Sequence, residues 1–233
     1  MKKGVVLFMC NHRPERKILA ISDLHSKLTA ANLDLIKNQE YDICILLGDI
    51  GEANLTALCT VLNKEKTFGV LGNHDDLELY ERHDIRELTP KELQMPYPSF
   101  YFTGLSGSHR YKKGDYPMLT QEESIKAIAE SRIAVNTYFF VSHDYPKWLY
   151  KDIDPEDDAH CGLEGLWELI NCPYKKPSEK GNTPQPPQLL IHGHLHQSRK
   201  TTFRNRTWSK TKVISAYGCV SIDYKTFKTK QLF

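Results

Sequence analysis

The sequence predicts an α/β protein that contains two β-sheets, and three observations support this. Apolar strands alternate with helical segments through the first two-thirds of the chain, as is typical of a sheet covered on both faces. After residue 200 the pattern changes to short alternating strands, which indicates a second, more antiparallel sheet. The chain has 233 residues, 40% of them hydrophobic and 26% charged, which suits one domain spanning residues 1–233 with a sizeable core.

Each element follows from local sequence. Short, continuous apolar runs predict buried strands, and leucines or isoleucines at helical spacing between them predict helices. Thr120 and Glu123 match a capping box, which predicts that a helix begins there. The predicted strands cover residues 17–22, 42–47, 67–71, 97–103, 138–142, 188–192, 201–203, 212–215, 220–224 and 227–231. The predicted helices cover residues 27–37, 53–62, 121–132 and 163–170.

Composition narrows the classes of function and location. The net charge of +2 predicts no strong overall field toward nucleic acid or membrane. No apolar run approaches the roughly 20 residues that a membrane-spanning helix needs. The six cysteines form no C-x-x-C pair and no convincing signal peptide precedes them, which favours reduced thiols. We therefore expect a cytoplasmic protein with no membrane partner, while the oligomeric state stays open.

Polar residues follow five of the predicted strands at the point where each strand ends. Because ligands bind beyond the carboxyl ends of strands in open α/β sheets, we expect these residues to form one site. A single D-x-H or N-H-D is weak evidence, since turns also favour Asn and Asp. His194 and His196 are stronger, because alternate residues of an extended chain point to the same side. The successive segments are Ser22-Asp23-Leu24-His25, Gly48-Asp49 with Glu52, Gly72-Asn73-His74-Asp75, Ser142-His143-Asp144 and His192-Gly193-His194-Leu195-His196.

This series of motifs resembles the calcineurin-like metallophosphoesterase superfamily from about residue 17 to residue 224. The resemblance implies a sandwich of two mixed β-sheets flanked by helices, in α/β/β/α layers, and a site for two metal ions bridged by Asp49. It implies a phosphoester substrate attacked by a hydroxide that bridges the two ions. The implied ligands are Asp23, His25, Asp49 and His196 for one ion, and Asp49, Asn73, His143 and His194 for the other.

The mixture of ligand types agrees with this implication. Carboxylate and amide oxygens combined with imidazoles suit Mn²⁺, Fe or Zn²⁺ better than Ca²⁺ or Cu(I). We expect Mn²⁺, with Fe, Zn²⁺ or Mg²⁺ as alternatives. Two cations about 3.5–4 Å apart would lower the pKa of water from about 15.7 toward 7 and neutralise phosphate oxygens.

Two further residues are predicted to act in catalysis without binding metal. The family resemblance implies that His74 faces the leaving-group oxygen, where an imidazole can donate a proton. Glu52 occupies the position whose carboxylate would orient His74. For Asp75 we expect the role of a helix N-cap as an alternative to orienting His74.

The substrate is less closely defined. The protein phosphatase branch of the family carries an arginine after its second motif, whereas Glu52 is followed here by Ala53 and Asn54. This departure disfavours phosphoproteins and favours phosphodiesters over monoesters, with nucleotides and nucleic acids among the candidates. Two other functions stay open: a nuclease on the same scaffold, and a non-catalytic interaction module, which should lack some of the ligands.

Three segments outside these motifs have alternative interpretations. His109 or Arg110 either approaches the phosphate or lies in a turn between strands. The basic stretch from Arg199 to Lys212 either steers a polyanionic substrate or is a solvated hairpin face. The irregular segment 146–187, which includes a glycine turn before the helix at 163–170, is predicted to cover part of the site and select substrates.

Overall fold

The computed structural model describes residues 17–92, 94–97, 100–131, 137–154, 157–171, 186–205 and 209–233. The first half of the chain contains β1 (Lys17–Ser22), α1 (Ala30–Lys37), β2 (Ile43–Leu46), α2 (Glu52–Leu58), β3 (Thr67–Gly69), α3 (Leu79–Arg82), β4 (Arg86–Glu87), β5 (Gln94–Tyr97), β6 (Phe100–Leu105), β7 (Ser108–His109) and β8 (Met118–Leu119). The second half contains α4 (Gln121–Ala129), β9 (Thr137–Ser142), α5 (Glu164–Asn171), β10 (Leu189–His192), β11 (Arg199–Arg204), β12 (Lys210–Ser215), β13 (Gly218–Asp223) and β14 (Thr229–Gln231).

Two six-stranded mixed sheets form the centre of the molecule. The first sheet has the order β14-β13-β1-β2-β3-β4, and the second has the order β11-β12-β10-β9-β6-β5. Strands β1 to β4 run parallel to one another, as do β6, β9, β10 and β12. The predicted fold class is therefore confirmed. The carboxyl ends of the parallel strands of both sheets are the places from which the site is built.

The last four strands do not form a sheet of their own, and that part of the prediction is wrong. Strands β11 and β12 extend the second sheet, in which β12 lies parallel to β10. Strands β13 and β14 join the first sheet, in which β13 lies antiparallel to β1. The chain thus crosses from one sheet to the other between Ser215 and Gly218. Local alternation predicted strands correctly but carries no information on which strand each one pairs with.

Three hydrophobic clusters account for the layers. Side chains from both sheets, among them Ile45 and Ile191, pack in the central cluster. The other face of the first sheet packs against α1 and α2 through residues such as Ile36 and Leu55. The other face of the second sheet packs against α5 through Leu166. Burial on both faces explains why the central strands are continuously apolar.

One helix end agrees with the predictions and two differ from them. Thr120 and Glu123 form the predicted capping box of α4, with each side chain bonded to the other residue's backbone N–H. Helix α1 begins later than predicted, because Thr29 caps it and pairs in the same way with Asn32. Helix α2 ends at Leu58, earlier than predicted. The backbone N–H groups of Thr60 and Val61 donate to carbonyl oxygens three residues earlier, which is the tighter 3₁₀ pattern and not the α-helical one.

Some predictions concern residues outside the described ranges. Residues 1–16 and 172–185 are among these, so the substrate-selecting role of segment 146–187 stays a prediction, as does the assignment of 1–233 to one domain. Of the described cysteines, Cys44, Cys59, Cys161 and Cys219 are free thiols. None of the helices in the described part of the chain is long and apolar enough to cross a membrane.

Candidate metal centre

The seven predicted ligands lie in loops that follow five parallel strands. Strands β1, β2 and β3 of the first sheet lead into Asp23 and His25, Asp49, and Asn73, respectively. Strands β9 and β10 of the second sheet lead into His143 and into His194 and His196. The sheets face each other, so the two groups meet where the sandwich opens at this edge. Two sets of side chains have ligand atoms within 4.8 Å of one another: Asp23 with His25 and His196, and Asp23 with Asp49 and His143.

Asp23 is buried but uses only one of its two carboxylate oxygens for hydrogen bonds. Oδ2 accepts from the hydroxyl of Ser22 at 2.5 Å and from the backbone N–H of His194 at 3.0 Å. Oδ1 has no hydrogen-bond partner among the described residues. Burial raises the pKa of this carboxyl group above its ordinary value. A buried, unpaired carboxylate oxygen is costly, and a cation beside it would remove that cost.

His25 and His196 come from different sheets and meet beside Asp23. Their Nε2 atoms are 2.8 Å apart, and Nε2 of His196 lies 3.7 Å from Oδ1 of Asp23. Burial, opposed in part by the Asp23 carboxylate, lowers the pKa of His196, which favours the neutral ring. Neutral imidazole is the form that binds metal, because its unprotonated nitrogen carries the lone pair.

His143 is oriented by a hydrogen bond from the opposite side of its ring. Nδ1 lies 2.7 Å from the carbonyl oxygen of Leu47, so it donates there and leaves Nε2 as the ligand atom. Nε2 lies 3.0 Å from Oδ1 of Asn73 and 3.6 Å from Oδ2 of Asp49. Burial opposes charge on this ring, yet the carboxylates of Asp49 and Asp23 outweigh it and raise the pKa of His143. The cluster therefore favours positive charge.

His194 is held through one of its two ring nitrogens, and it belongs to neither of the two sets of described side chains whose ligand atoms lie within 4.8 Å of one another. Its Nε2 donates to the carbonyl oxygen of Ala159 at 2.7 Å, which leaves Nδ1 as the ligand atom. The His194 ring lies 4.9 Å from that of His143, centroid to centroid. Burial lowers the pKa of His194 well below its ordinary value, so the ring is neutral.

The backbone of the site adopts conformations that side chains seldom take. Among the described residues, seven other than glycine have positive φ, and four of these are predicted ligands. Such strain is a recurrent feature of binding sites. Two glycines allow the loops to approach: a Cβ on Gly72 would lie 2.1 Å from Oδ1 of Asp49, and one on Gly193 would lie 2.0 Å from Oγ of Ser22. The four strained ligands are Asp23, Asp49, His194 and His196.

Asp75 connects two of these loops, a role that the sequence analysis missed. One carboxylate oxygen accepts from the N–H groups of Asp49 and Gly72, at 2.7 and 2.9 Å. The other accepts from Ile50 and Gly51, at 3.1 and 3.2 Å. Asp75 is therefore not a helix N-cap, since α3 begins later, at Leu79. Its position directly after Asn73-His74 indicated that Asp75 lies near the site. Its role is identified only by its contacts with residues 49–51, which are distant in sequence.

Glu52 does not orient His74, and this prediction requires correction. Glu52 is the first residue of α2, and its exposed carboxylate extends toward the end of α3. It accepts from Arg82 at 2.8 Å and contacts Nε2 of His83 at 2.5 Å. Hydrogen bonds from Arg82 and then His83 lower the pKa of Glu52. Both carboxylate oxygens of Glu52 therefore contact residues at the end of α3 and not His74.

His74 itself lies at the rim of the cluster. Its backbone N–H donates to Oδ1 of Asp49 at 2.8 Å, and its exposed ring lies 6.5 Å from that of His25. The main chain is fixed while the side chain faces solvent at the edge of the candidate ligands. This position suits a group that meets the substrate.

Two residues near the cluster were not predicted to take part in the site. The hydroxyl of Tyr111 accepts from Nδ2 of Asn73 at 3.1 Å, which directs Oδ1 of that amide toward His143. The ring of His160 lies 5.0 Å from that of His194, and its Nδ1 contacts Asp157 at 2.9 Å. His160 belongs to the segment before α5, which therefore returns to the site.

The roles of His109, Arg110 and Arg199 were left open by the sequence, and their contacts favour structural roles. Arg110 donates to the carbonyl oxygen of Met118 at 2.6 Å, which agrees with a turn between strands. His109 accepts from the side-chain amide of Gln121 at 3.1 Å. Arg199 is paired with Asp152 at 2.9 Å. These contacts occupy Arg110 and Arg199, two of the cations that the sequence offered for binding phosphate.

The residues present fit a pair of metal ions. The cluster offers carboxylate and amide oxygens with imidazole nitrogens, and the unpaired oxygen of Asp23 faces the imidazoles of His25 and His196. A hydrogen bond at one nitrogen of His143 and at one nitrogen of His194 leaves the other nitrogen of each ring available for coordination. This mixture suits transition-metal ions or Mg²⁺.

Comparison with known proteins agrees with this chemistry. The sequence pattern of the calcineurin-like phosphoesterase superfamily domain matches residues 17–143, more than half of the chain. No curated protein is significantly similar to the chain. One crystal structure, of a protein 18% identical, covers 93% of this chain and 98% of its own, with a TM-score of 0.60. A 5'-nucleotidase precursor from Thermus thermophilus is 13% identical, with a TM-score of 0.52 over 92% of this chain and 53% of its own. Likeness at these identities concerns the fold alone.

Proposed function

Since the chain belongs to the calcineurin-like phosphoesterase superfamily, we propose that it is a dinuclear-metal phosphoesterase that prefers phosphodiesters. The family implies metal-dependent hydrolysis of phosphoesters, and the preference for diesters is our inference. One observation supports the proposal above the others: a buried, unpaired carboxylate oxygen of Asp23 lies among imidazoles delivered by both sheets. A folded protein keeps such an arrangement where a cation occupies it.

In this proposal the predicted ligands divide between two ions that share Asp49. Asp23, His25 and His196 complete one set, and Asn73, His143 and His194 complete the other. When bound, two such ions neutralise phosphate oxygens and lower the pKa of water toward neutrality. Leu47, Ala159 and Tyr111 act behind the ligands, because they hold His143, His194 and Asn73 in the required orientation.

His74 is proposed to donate a proton to the leaving-group oxygen. Its backbone is fixed by Asp49 while its ring is exposed at the rim, so the imidazole can reach a substrate without serving as a ligand. The carboxylate expected to assist it, Glu52, is bound by Arg82 and His83. His74 therefore works without that partner in this proposal.

The preference for diesters is supported by two arginines that are bound to other protein groups and by a third that this chain lacks. A phosphomonoester is a dianion near neutral pH and gains more from an arginine than a monoanionic diester does. Arg82 and Arg110 are bound to Glu52 and to Met118, and Ala53 stands where the phosphatase branch has its arginine. The nuclease alternative has weaker support, because Arg199 of the basic stretch is paired with Asp152.

The proposal is tested by a substrate panel with the metal-free protein reconstituted in Mn²⁺, Zn²⁺, Fe²⁺ or Mg²⁺. We expect a higher kcat/KM for bis-p-nitrophenyl phosphate than for p-nitrophenyl phosphate, and activity that a chelator abolishes. A higher kcat/KM for the monoester would overturn the diester preference and leave the hydrolase intact. Cleavage of single-stranded DNA without cleavage of the small diester would favour the nuclease, and inactivity with every metal would favour the non-catalytic module.

A further inference from the structure

A cavity of about 440 Å³ lies directly beside the candidate metal centre. Sites that hold small ligands commonly have volumes of about 300–1,000 Å³. Asp23 and His25 form part of its wall, so a group in the cavity would be next to any phosphate held at the centre. The loop after β1 lines one side, and Tyr217 and Gly218, where the chain crosses between the sheets, line the other.

Tyr217 presents an aromatic ring at this cavity from a fixed main chain. Its backbone N–H donates to the hydroxyl of Ser198 at 3.3 Å, and its carbonyl oxygen accepts from Gln231 at 2.6 Å. The ring lies 5.8 Å from that of His196, and 37% of the residue stays exposed. An exposed tyrosine on a fixed backbone offers one flat face for stacking at low entropic cost.

The opposite wall is fixed by one buried side chain. Asn54 donates to the carbonyl oxygens of Leu24 and Ser26, at 2.9 and 3.1 Å. It also accepts from the backbone N–H of Leu28 at 3.0 Å. These three bonds hold the loop that carries His25 and Lys27 in one conformation. Both walls are thus formed before any ligand arrives, as is usual for ligand sites.

The lining favours a particular chemical class of ligand. Tyr217 supplies a stacking surface, and the exposed Lys27 supplies a positive charge that favours electron-rich and anionic groups. Asp23 is the acidic residue of the lining. Its carboxylate oxygens face Ser22, His194 and the proposed metal position. We propose that the cavity binds an ester group of the phosphate that carries an aromatic ring. A nucleoside, esterified through its ribose and with its base stacked on Tyr217, is the natural group of this class.

This assignment rests on the proposed function, because the phosphate must lie at the metal centre for its ester group to enter the cavity. Two phosphonates separate the contributions without turnover: methylphosphonate, and the analogue of 5'-AMP in which a methylene group replaces the 5' oxygen. Both carry the same dianion, and neither has a scissile P–O bond. Calorimetric titration of the Mn²⁺-reconstituted full chain gives a Kd for each, and the ratio of the two reports on the cavity alone.

We expect the nucleoside phosphonate to bind more tightly than methylphosphonate in the wild type. Tyr217→Ala should reduce that advantage by roughly fivefold or more, the range of base stacking on an aromatic side chain, while the Kd of methylphosphonate and the metal content stay unchanged. Tyr217→Phe should retain the advantage, since it keeps the ring. Tyr116→Ala removes another exposed tyrosine, one that does not line the cavity, and serves as the matched control.

Equal affinity of the two phosphonates for the wild type would overturn the assignment. So would a Tyr217→Ala variant that loses methylphosphonate binding or metal in parallel, because Tyr217 would then act by supporting His196. Neither result touches the proposed function, which the hydrolysis of bis-p-nitrophenyl phosphate tests separately. A protein that binds the nucleoside phosphonate more tightly but hydrolyses no substrate would support the assignment of the cavity and contradict the proposed hydrolase function.

Discussion

Asp49 is the residue on which the two halves of the candidate centre meet. Its Oδ1 accepts from the backbone of His74, and its Oδ2 faces His143 from the other sheet. Gly72 must lack a side chain for the loops to come this close. A carboxylate can bridge two cations because it has two oxygens with several lone pairs. We therefore regard it as the shared ligand of our proposal.

Replacing Asp49 by asparagine should lower the metal content. The variant Asp49→Asn keeps the size of the side chain but removes the charge and one ligand oxygen, so we expect a fall from about two Mn²⁺ per chain to one or fewer. Elemental analysis after removal of free metal measures this. Asp115→Asn, which removes an exposed carboxylate elsewhere, should keep the wild-type content. A full metal complement in Asp49→Asn would contradict the bridging role.

His74 should affect the reaction without affecting the metals. Because the hydrogen bond that joins His74 to a predicted ligand comes from its backbone N–H, His74→Ala should keep the metal content and lose roughly 10²–10⁴-fold in kcat. The loss should be smaller for p-nitrophenyl esters than for alkyl esters, since p-nitrophenolate needs little protonation. Steady-state kinetics with both ester types measure the difference. A loss of metal in proportion to activity would identify His74 as a ligand instead.

At the scale of elements, Asp75 determines how the loops after β2 and β3 lie against each other. Its carboxylate accepts four backbone N–H groups, and burial raises its pKa above the ordinary value. Bonds to charged groups contribute about 1.5–3 kcal/mol each, so this single side chain stabilises both loops substantially. The residues that it holds include Asp49 and Gly72.

Asp75→Asn should therefore destabilise the protein more than its small change in shape suggests. The new amide group would face backbone N–H groups that need an acceptor, leaving two of them unpaired. We expect a loss of about 3 kcal/mol in the free energy of unfolding, together with weaker metal binding. Denaturant unfolding of the metal-free variant measures the first effect separately from the second. Asp76→Asn, an exposed neighbour, is the control, and equal stability of the two variants would argue against this role.

At the scale of the whole molecule, the site joins the two sheets. Asp23, Asp49 and Asn73 follow strands of the first sheet, and His143 and His194 follow strands of the second. The two sheets also share one central hydrophobic cluster. An ion held by ligands from both sheets would oppose their separation in addition to this packing.

Removal of metal should consequently lower the thermal stability of the protein. A ligand that binds only the folded state stabilises it by about 2.7 kcal/mol at one hundred times its Kd. We expect the midpoint of thermal unfolding to fall when a chelator is added and to recover with Mn²⁺. Differential scanning calorimetry measures the shift. Asp49→Asn should show a smaller shift, and equal midpoints with and without metal would exclude this contribution.

Local sequence already identified much of the site. The apolar strands, the capping box at Thr120 and the polar residues after each strand depend on neighbours in sequence. The ends of parallel strands lie at one edge of a sheet, so Asp23 and Asp49 were predicted to lie together, and they do. The roles of Glu52 and Asp75 were not predicted correctly, because all of their partners except Gly72 are 24 to 31 residues away.

The sequence by itself determined the fold class, most of the longer strands and helices, and the residue types that can bind two metal ions. These depend on burial periodicity and on side-chain chemistry, both of which are local properties. Tertiary structure decided which sheet each of the last strands joined, that Glu52 binds Arg82, and that Tyr217 faces a cavity beside His25. Each of these depends on contacts between distant parts of the chain, which form only when the whole core packs.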